Sequence, residues 1–149
     1  MIVIAHHIRS LHNVGSIFRS CDVFGVEKLY LSGITGVPPR KEIAKVALGS
    51  EHRVVWEHVD EILELIGQLR IDGYRIVALE NGVGAQPIDV LEKWEQVVLI
   101  LGNEVEGIAP AILDQCDARV EIAMPGRKQS LNVSVATGIA LFALTRRPG

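Results

Sequence analysis

The chain has 149 residues, 48% of them hydrophobic, and carries a formal charge of −3 from 15 Lys+Arg against 18 Asp+Glu. That length suits one domain with a real core. The acidic balance excludes a nucleic-acid coat protein that works by overall charge, though not a local basic patch. Cys21 and Cys116 make neither a zinc spacing nor a disulfide framework, which points to a reducing compartment, the cytoplasm. The opening run Met1-Ile2-Val3-Ile4-Ala5 is too short for a signal peptide or a membrane span.

Taken in chain order, residues 1–5, 28–32, 75–79, 96–101 and 118–122 read as buried strands, with 54–56 as a shorter edge strand. They are continuous in Val, Ile and Leu, as strands of a parallel sheet covered on both faces should be. Helical patterns fall between them. Val14, Ile17, Phe18 and Cys21 recur at helical spacing, so 13–24 is an amphipathic helix, with Asn13 as its N-cap and Gly25 as its stop. A shorter helix covers 41–48. Asp60 caps a stretch with Ile62, Leu63, Ile66 and Leu69 on one face, and Pro110 opens a helix over 110–115. The last helix runs over 132–144 and is apolar around almost its whole circumference. Such a helix must be buried all round, which a domain this small achieves best against a second copy of itself. A central core helix in a monomer is the alternative. Strand–helix alternation throughout gives an α/β fold, a mostly parallel sheet covered by helices.

Three constellations carry chemistry. In Asn13-Val14-Gly15-Ser16-Ile17-Phe18-Arg19, Gly15, Arg19 and Asp22 share one helix side. There a guanidinium beside a residue with no side chain leaves room for a phosphate, which Arg grips with two parallel hydrogen bonds. On these residues alone, a surface Arg19–Asp22 ion pair is the simpler reading. In Leu101-Gly102-Asn103-Glu104-Val105-Glu106-Gly107 a buried strand ends in a glycine-bounded acidic loop, where ligands of parallel sheets bind. Its spacing is not that of a dinucleotide fingerprint, and its acids suit a cationic cofactor; a capped tight turn is the alternative. In the stretch from Met124-Pro125-Gly126 through Arg127-Lys128-Gln129 to Ser130-Leu131-Asn132, a turn and a basic polar loop enter the last helix. Ser130 and Asn132 stand where they can cap free amides or meet a ligand.

These three stretches, in this order, resemble the motifs N-x-G-x-x-x-R, G-N-E-x-x-G and S-L-N of the SpoU-type RNA 2′-O-ribose methyltransferases of the SPOUT superfamily. Ala78-Leu79-Glu80 and Lys45-Val46-Ala47-Leu48-Gly49-Ser50-Glu51 add weaker similarity, so the resemblance spans nearly the whole chain. It implies methyl transfer from S-adenosylmethionine, leaving S-adenosylhomocysteine, to a ribose 2′-hydroxyl of structured RNA, tRNA or rRNA; the absence of flanking domains favours tRNA over rRNA. It implies a C-terminal deep trefoil knot, against the general rule for folds, and a homodimer through the C-terminal helix and the first helix. Carried over residue by residue, Asn13, Arg19, Glu104, Ser130 and Asn132 form the catalytic group. Leu79, Gly102, Asn103, Ile122, Met124, Ser130 and Leu131 lie along the cofactor. Since a guanidinium keeps its proton in proteins, Arg19 is read as a stabiliser of a phosphate or alkoxide and not as the base.

Arg9, Arg40, Lys41, Arg127 and Lys128 are the candidate RNA contacts, with Arg146 and Arg147 as a short basic tail. His6 and His7 have no Cys/Asp/His set to complete a metal site, so no metal is expected. Residues 1–149 are expected to form one SPOUT domain with no separate RNA-binding extension. A catalytically silent knotted module and a base-directed SPOUT methyltransferase are the competing readings.

Overall fold

The computed structural model describes residues 1–146; Arg147 of the expected basic tail lies outside the described residues. Seven strands form one parallel sheet in the order β3-β2-β1-β6-β4-β7-β5. They are β1 (Ile2–His6), β2 (Lys28–Ser32), β3 (Trp56–Val59), β4 (Arg75–Leu79), β5 (Gln86–Pro87), β6 (Val97–Leu101) and β7 (Ala118–Glu121). The central strands β1 and β6 are buried at every residue, which is why they read as unbroken apolar runs.

Alternate side chains divide the core in two. Val3, Ala5, Leu99 and Leu101 face one cluster with Val14, Ile17, Phe18 and Cys21 of α1 (Leu11–Val23), Ile43 and Ala47 of α2 (Lys41–Ala47), and Ala140 and Leu141 of α6 (Val133–Thr145). The short α3 (Ser50–Arg53) lies on the same side, tied to α1 by the Ser50 hydroxyl donating to Asp22 at 2.9 Å. On the opposite face Ile2, Ile4, Val98 and Ile100 meet Ile62, Ile66 and Leu69 of α4 (Ile62–Ile71) and Ile112 of α5 (Pro110–Leu113). No helix among the described residues is long and apolar enough to cross a membrane.

Several local expectations are corrected. Helix α1 begins two residues early, at Leu11, because Ser10 caps it by accepting from the Asn13 backbone amide at 3.1 Å. This frees the Asn13 side chain for another partner. Gly25 does end the helix region, at φ 68°. The edge strand starts at Trp56, not Val54, since Val54 is the C-cap of α3. Asp60 makes no cap: Glu61 occupies that position of α4, without a side-chain bond. Helix α5 is shorter than 110–115.

The last helix is not buried all round by its own chain. Thr137, Ala140 and Leu141 are buried, whereas Val135, Ile139 and Phe142 remain 51%, 40% and 50% exposed. The sequence correctly gives an apolar circumference, but its own chain, chiefly α1, covers only one side of it.

Candidate active site

In a parallel sheet the loops after the strands gather on one rim, and ligands bind there. Residues 102–107 follow β6, 80–81 follow β4, and 122–132 connect β7 to α6. Between them lies a cavity of about 200 Å³. Leu79, Ile122, Met124, Leu131 and Val133 supply apolar wall; Glu80 and Glu104 supply negative charge; Gly102, Asn103 and Ser130 are among the other lining residues.

The loop after β6 is held closed on itself. Asn103 O accepts from Gly107 N at 2.9 Å, and Asn103 Oδ1 accepts from the Val105 and Glu106 amides, both at 2.8 Å. Asn103 Nδ2 donates to His7 O at 2.9 Å, joining this loop to the one after β1. Gly102 is packed so closely that a Cβ there would stand 2.9 Å from the Gly107 carbonyl carbon and from the Ile108 nitrogen. Gly107 has φ 71°, and a Cβ on it would meet Glu80 Oε1 at 2.6 Å. Glu80 Oε2 accepts from Ile108 N at 3.0 Å, so β4 and β6 are pinned to each other at the mouth.

Glu104 connects the cavity to α1. Its Oε1 accepts from Arg9 N, and its Oε2 accepts from Ser10 N and from Asn13 Nδ2, each at 3.1 Å. Partial burial pushes the Glu104 carboxyl up, but the donors of Arg9, Ser10, Asn13 and its own backbone outweigh it and hold the carboxyl below its ordinary 4.5. Glu104 is therefore a carboxylate at neutral pH, engaged in orienting the first motif. Asn132 is engaged too: its Oδ1 caps α6, accepting from Ser134 N at 2.8 Å and from the Ser134 hydroxyl at 2.5 Å. Gln129 Nε2 donates to Met124 O at 3.3 Å and Gly126 O at 2.8 Å, closing the basic loop.

The SpoU rRNA Methylase family model matches residues 1–142. This chain belongs to the SpoU methylase family. A tRNA (guanosine(18)-2′-O)-methyltransferase of Aquifex aeolicus is 35% identical over 99% of this chain and 69% of its own length. The solved structure of the A. aeolicus TrmH/SpoU tRNA modifying enzyme superposes with a TM-score of 0.88 at 34% identity, covering 97% of this chain and 73% of that one. The AdoMet-bound rRNA methyltransferase from Sinorhizobium meliloti gives 0.91 at 29% identity, over 97% of this chain and 55% of that one.

In this SpoU-family chain the cavity brings together all seven residues expected along the cofactor: Leu79, Gly102, Asn103, Ile122, Met124, Ser130 and Leu131. Of the five expected catalytic residues, Glu104 and Ser130 line it, Asn13 reaches it through Glu104, and Asn132 supports the adjacent helix start. Arg19 is elsewhere. It lines a neighbouring groove with Ser16, Ser20, Val23, Phe24, Val46, Ser134 and Val135, between α1 and the start of α6. The expected space over Gly15 does not exist, because Gly15 is buried against α2 and a Cβ on it would stand 2.7 Å from Ile43 O. The Arg19–Asp22 ion pair is absent as well: Asp22 pairs with Arg53 at 2.7 Å, leaving the Arg19 side chain exposed and free.

The five expected RNA contacts are all exposed but do not share one concavity. Arg40 and Lys41 line a separate depression, while Arg127 and Lys128 stand on the loop beyond the cofactor cavity. Among the described residues no group of three or more His, Cys, Asp or Glu side chains is placed to hold a metal. The site residues expected from sequence do not include Glu80, Asn81, Leu101, Val105, Gly107, Val133 or Ala136, all of which line the cavity. An acid at the carboxyl end of a buried strand was the available signal for Glu80. Arg119 was also unforeseen; it donates to Glu80 O at 3.0 Å and to Asn81 O, fixing that rim.

His6, at the end of β1, is buried and shares a 2.8 Å hydrogen bond from Nδ1 to Ser32 Oγ. Burial, with the neighbouring His7 adding to it, pulls its pKa from 6.5 down to about 4. The unfolded chain therefore takes a proton at His6 below pH 6.5, which the folded chain refuses until about pH 4. Stability is expected to fall as pH drops through that window. Denaturant midpoints measured against pH should show a shallower slope for His6→Asn than for the native chain; identical slopes would exclude His6 as the source.

Proposed function

We propose that this chain transfers a methyl group from S-adenosylmethionine to a ribose 2′-hydroxyl of RNA, with tRNA as the favoured substrate. One observation carries the reading. The cavity is glycine-tight at Gly102, apolar at Leu79, Ile122 and Leu131, and acidic at Glu80 and Glu104. Apolar walls suit an adenosine, and two carboxylates suit a ligand bearing a sulfonium and an ammonium. The name of the A. aeolicus relative, a tRNA (guanosine(18)-2′-O)-methyltransferase, supports tRNA.

When bound there, S-adenosylmethionine would supply the methyl group: its carbon–sulfur bond would be exchanged for a bond to ribose O2′, S-adenosylhomocysteine would leave, and the hydroxyl proton would pass to solvent. The chain's own part is placement. Backbone at Gly102 and Leu131 borders the adenosine; Glu104 and Asn13 hold the β1–α1 loop at the mouth; Ser130, with no hydrogen bond of its own among the described residues, is available to the ribose. Holding the reactants aligned contributes on the order of ~7–11 kcal/mol in favourable cases. In the dimer, where it stands at the subunit boundary, Arg19 grips a backbone phosphate and stabilises the developing alkoxide, while Asn132 caps the start of α6. Arg9, Arg40, Lys41, Arg127 and Lys128 supply the cationic path for the RNA, and the family's knot threads residues 122–132 into place.

The working unit is a homodimer in the cytoplasm. The exposed apolar stripe of Val135, Ile139 and Phe142 on α6, continued by Val23 at 70% exposure on α1, is covered by the same stripe of a second copy. The Arg19 groove borders this stripe through Val23 and Val135, so pairing brings Arg19 next to the subunit boundary. Ile139→Glu is expected to give monomers by sedimentation analysis, with methyl transfer lost in parallel; an unchanged dimer would remove α6 from the interface. The function itself is tested by cofactor calorimetry followed by transfer of labelled methyl groups to unmodified tRNA and rRNA transcripts. Transfer to tRNA is the expected result. Tight cofactor binding with no transfer to any RNA would instead favour a silent binding module.

A further inference from the structure

Among the described residues only His7 and Leu48 have a left-handed backbone without being glycine. Leu48 ends α2, where that conformation is usual. His7, at φ 53°, follows the last residue of β1 on the rim where ligands of parallel sheets bind. Such a conformation costs free energy and persists only where the surroundings fix it. Here they fix it from three sides. The His7 amide donates to Ser32 O at 3.1 Å, the His7 carbonyl accepts from Asn103 Nδ2 at 2.9 Å, and the ring Nδ1 accepts from the Ile34 amide at 3.1 Å. The ring centroid lies 3.9 Å from that of His6, and the ring covers Gly33 so closely that a Cβ there would stand 2.2 Å from Nδ1.

The bond from Ile34 is half of a reciprocal pair. Thr35 Oγ1 accepts from the Ile8 amide at 3.0 Å, so the loop after β1 and the loop after β2 each lend a side chain to the other's backbone. On its opposite side the loop after β1 is held by Asn103 and by Glu104, which takes the Arg9 and Ser10 amides. Residues 7–10 therefore join two loops. One carries Asn103 and Glu104 into the cofactor cavity; the other, 33–40, leads to Arg40 and Lys41 at the start of α2. Among the described residues 36–39 make no hydrogen bond, so Ile34 and Thr35 are the last anchors before those two cations.

We propose that His7 is a positioning residue for RNA: through Nδ1 it fixes loop 33–40, and with it Arg40 and Lys41, relative to the cofactor cavity. This rests on the reading of the chain as an RNA methyltransferase and deepens it, because it names what sets the spacing between the methyl donor and the cationic path. The acceptor is the working atom. A ring nitrogen that accepts an N–H carries no proton, so the neutral ring keeps its proton on Nε2. Asparagine has an acceptor, Oδ1, the same number of bonds from Cα as Nδ1 and, like histidine, is at home in the left-handed region. Glycine takes up that backbone freely but brings no acceptor. The bond is exposed and neutral, so its loss is expected to change affinity about fivefold, roughly 1 kcal/mol.

Native, His7→Asn and His7→Gly chains are compared in affinity for a tRNA transcript, in affinity for S-adenosylmethionine, and in methyl transfer with both saturating. His7→Gly is expected to bind tRNA about fivefold more weakly, with cofactor affinity and saturated turnover at native values. Exchange of the Ile34 amide with solvent should quicken in the same variant. His7→Asn should match the native chain in every one of these measurements. The inference is overturned if His7→Gly binds tRNA as the native chain does. It is equally overturned if His7→Asn loses as much as His7→Gly, which places the effect in the ring and not in the acceptor. A parallel loss of cofactor affinity also overturns it, since that marks a general role in shaping the rim. Nitrogen NMR of the native chain needs no variant to fold: a proton found on Nδ1 of the neutral ring removes the bond on which the inference stands. Methyl transfer with equal tRNA affinity in all three chains sinks this anchor alone. The expected order of tRNA affinities without methyl transfer to any RNA sinks the proposed activity and leaves the anchor standing.

Discussion

Gly102→Ala is expected to weaken S-adenosylmethionine binding by roughly 10–100-fold, an overpacking cost of about 1–3 kcal/mol converted at about 1.4 kcal/mol per tenfold. The reason is backbone against backbone. The added methyl would stand 2.9 Å from the Gly107 carbonyl carbon and from the Ile108 nitrogen, with the Ile108 side chain closer still. The two backbone atoms cannot swing away as a flexible side chain would. The loop must open, which breaks the 2.9 Å bond from Gly107 N to Asn103 O and disturbs the Glu80–Ile108 bond at the mouth. Melting temperature should fall only slightly, since the strands below are already fully buried. Calorimetry measures the affinity. Native affinity in a folded Gly102→Ala chain would show that the cofactor does not rest on this loop.

Arg19→Ala is expected to do the opposite in binding and more in turnover. Cofactor affinity should be unchanged, because Arg19 lines the α1/α6 groove and not the cavity. Methyl transfer should fall about 10²–10³-fold, the usual cost of removing one preorganised donor from a developing oxyanion. Lysine restores the charge but not the two-pronged geometry, so Arg19→Lys should recover only part of the loss. Single-turnover rates with saturating cofactor and RNA distinguish these cases. Full activity in Arg19→Lys, with an unchanged pH–rate profile, would leave Arg19 with no specific role.

The two substitutions separate what sequence made visible from what it did not. The central strands are legible because burial on both faces forces unbroken apolar runs, as in Val97–Leu101. The cofactor cavity is legible because its loops carry residues of special chemistry at strand ends: Gly102, Asn103 and Glu104 after β6, Met124 to Leu131 before α6. Arg19 illustrates the limit. Helical spacing placed it correctly on the side away from Phe18 and Cys21, but spacing within one helix says nothing about which neighbour covers Gly15. That neighbour is α2, and it closes the space a ligand was expected to fill. The N-cap was misplaced for a related reason. Ser10 and Asn13 are both good caps by residue type, and only the position of Glu104, ninety-odd residues on, decides that Asn13 turns outward. The exposed half of α6 lies between these cases: its composition announced an apolar circumference, while packing on α1 determines which side stays exposed.

Buried Glu51 was hidden for a further reason. In sequence it sits in a polar stretch, Ser50-Glu51-His52-Arg53. Its burial comes from the packing of α3 against α1 and α2, a contact made by a four-residue helix too short to carry a periodic signal.

The account stands most directly on where the methyl group goes. RNA labelled by this chain from methyl-labelled S-adenosylmethionine should be hydrolysed in alkali and the fragments separated. A methyl on O2′ blocks attack of that oxygen on the adjacent phosphate, so the label is predicted to emerge in an alkali-stable dinucleotide. Label recovered in mononucleotides, carried on the base, would contradict a ribose-directed site.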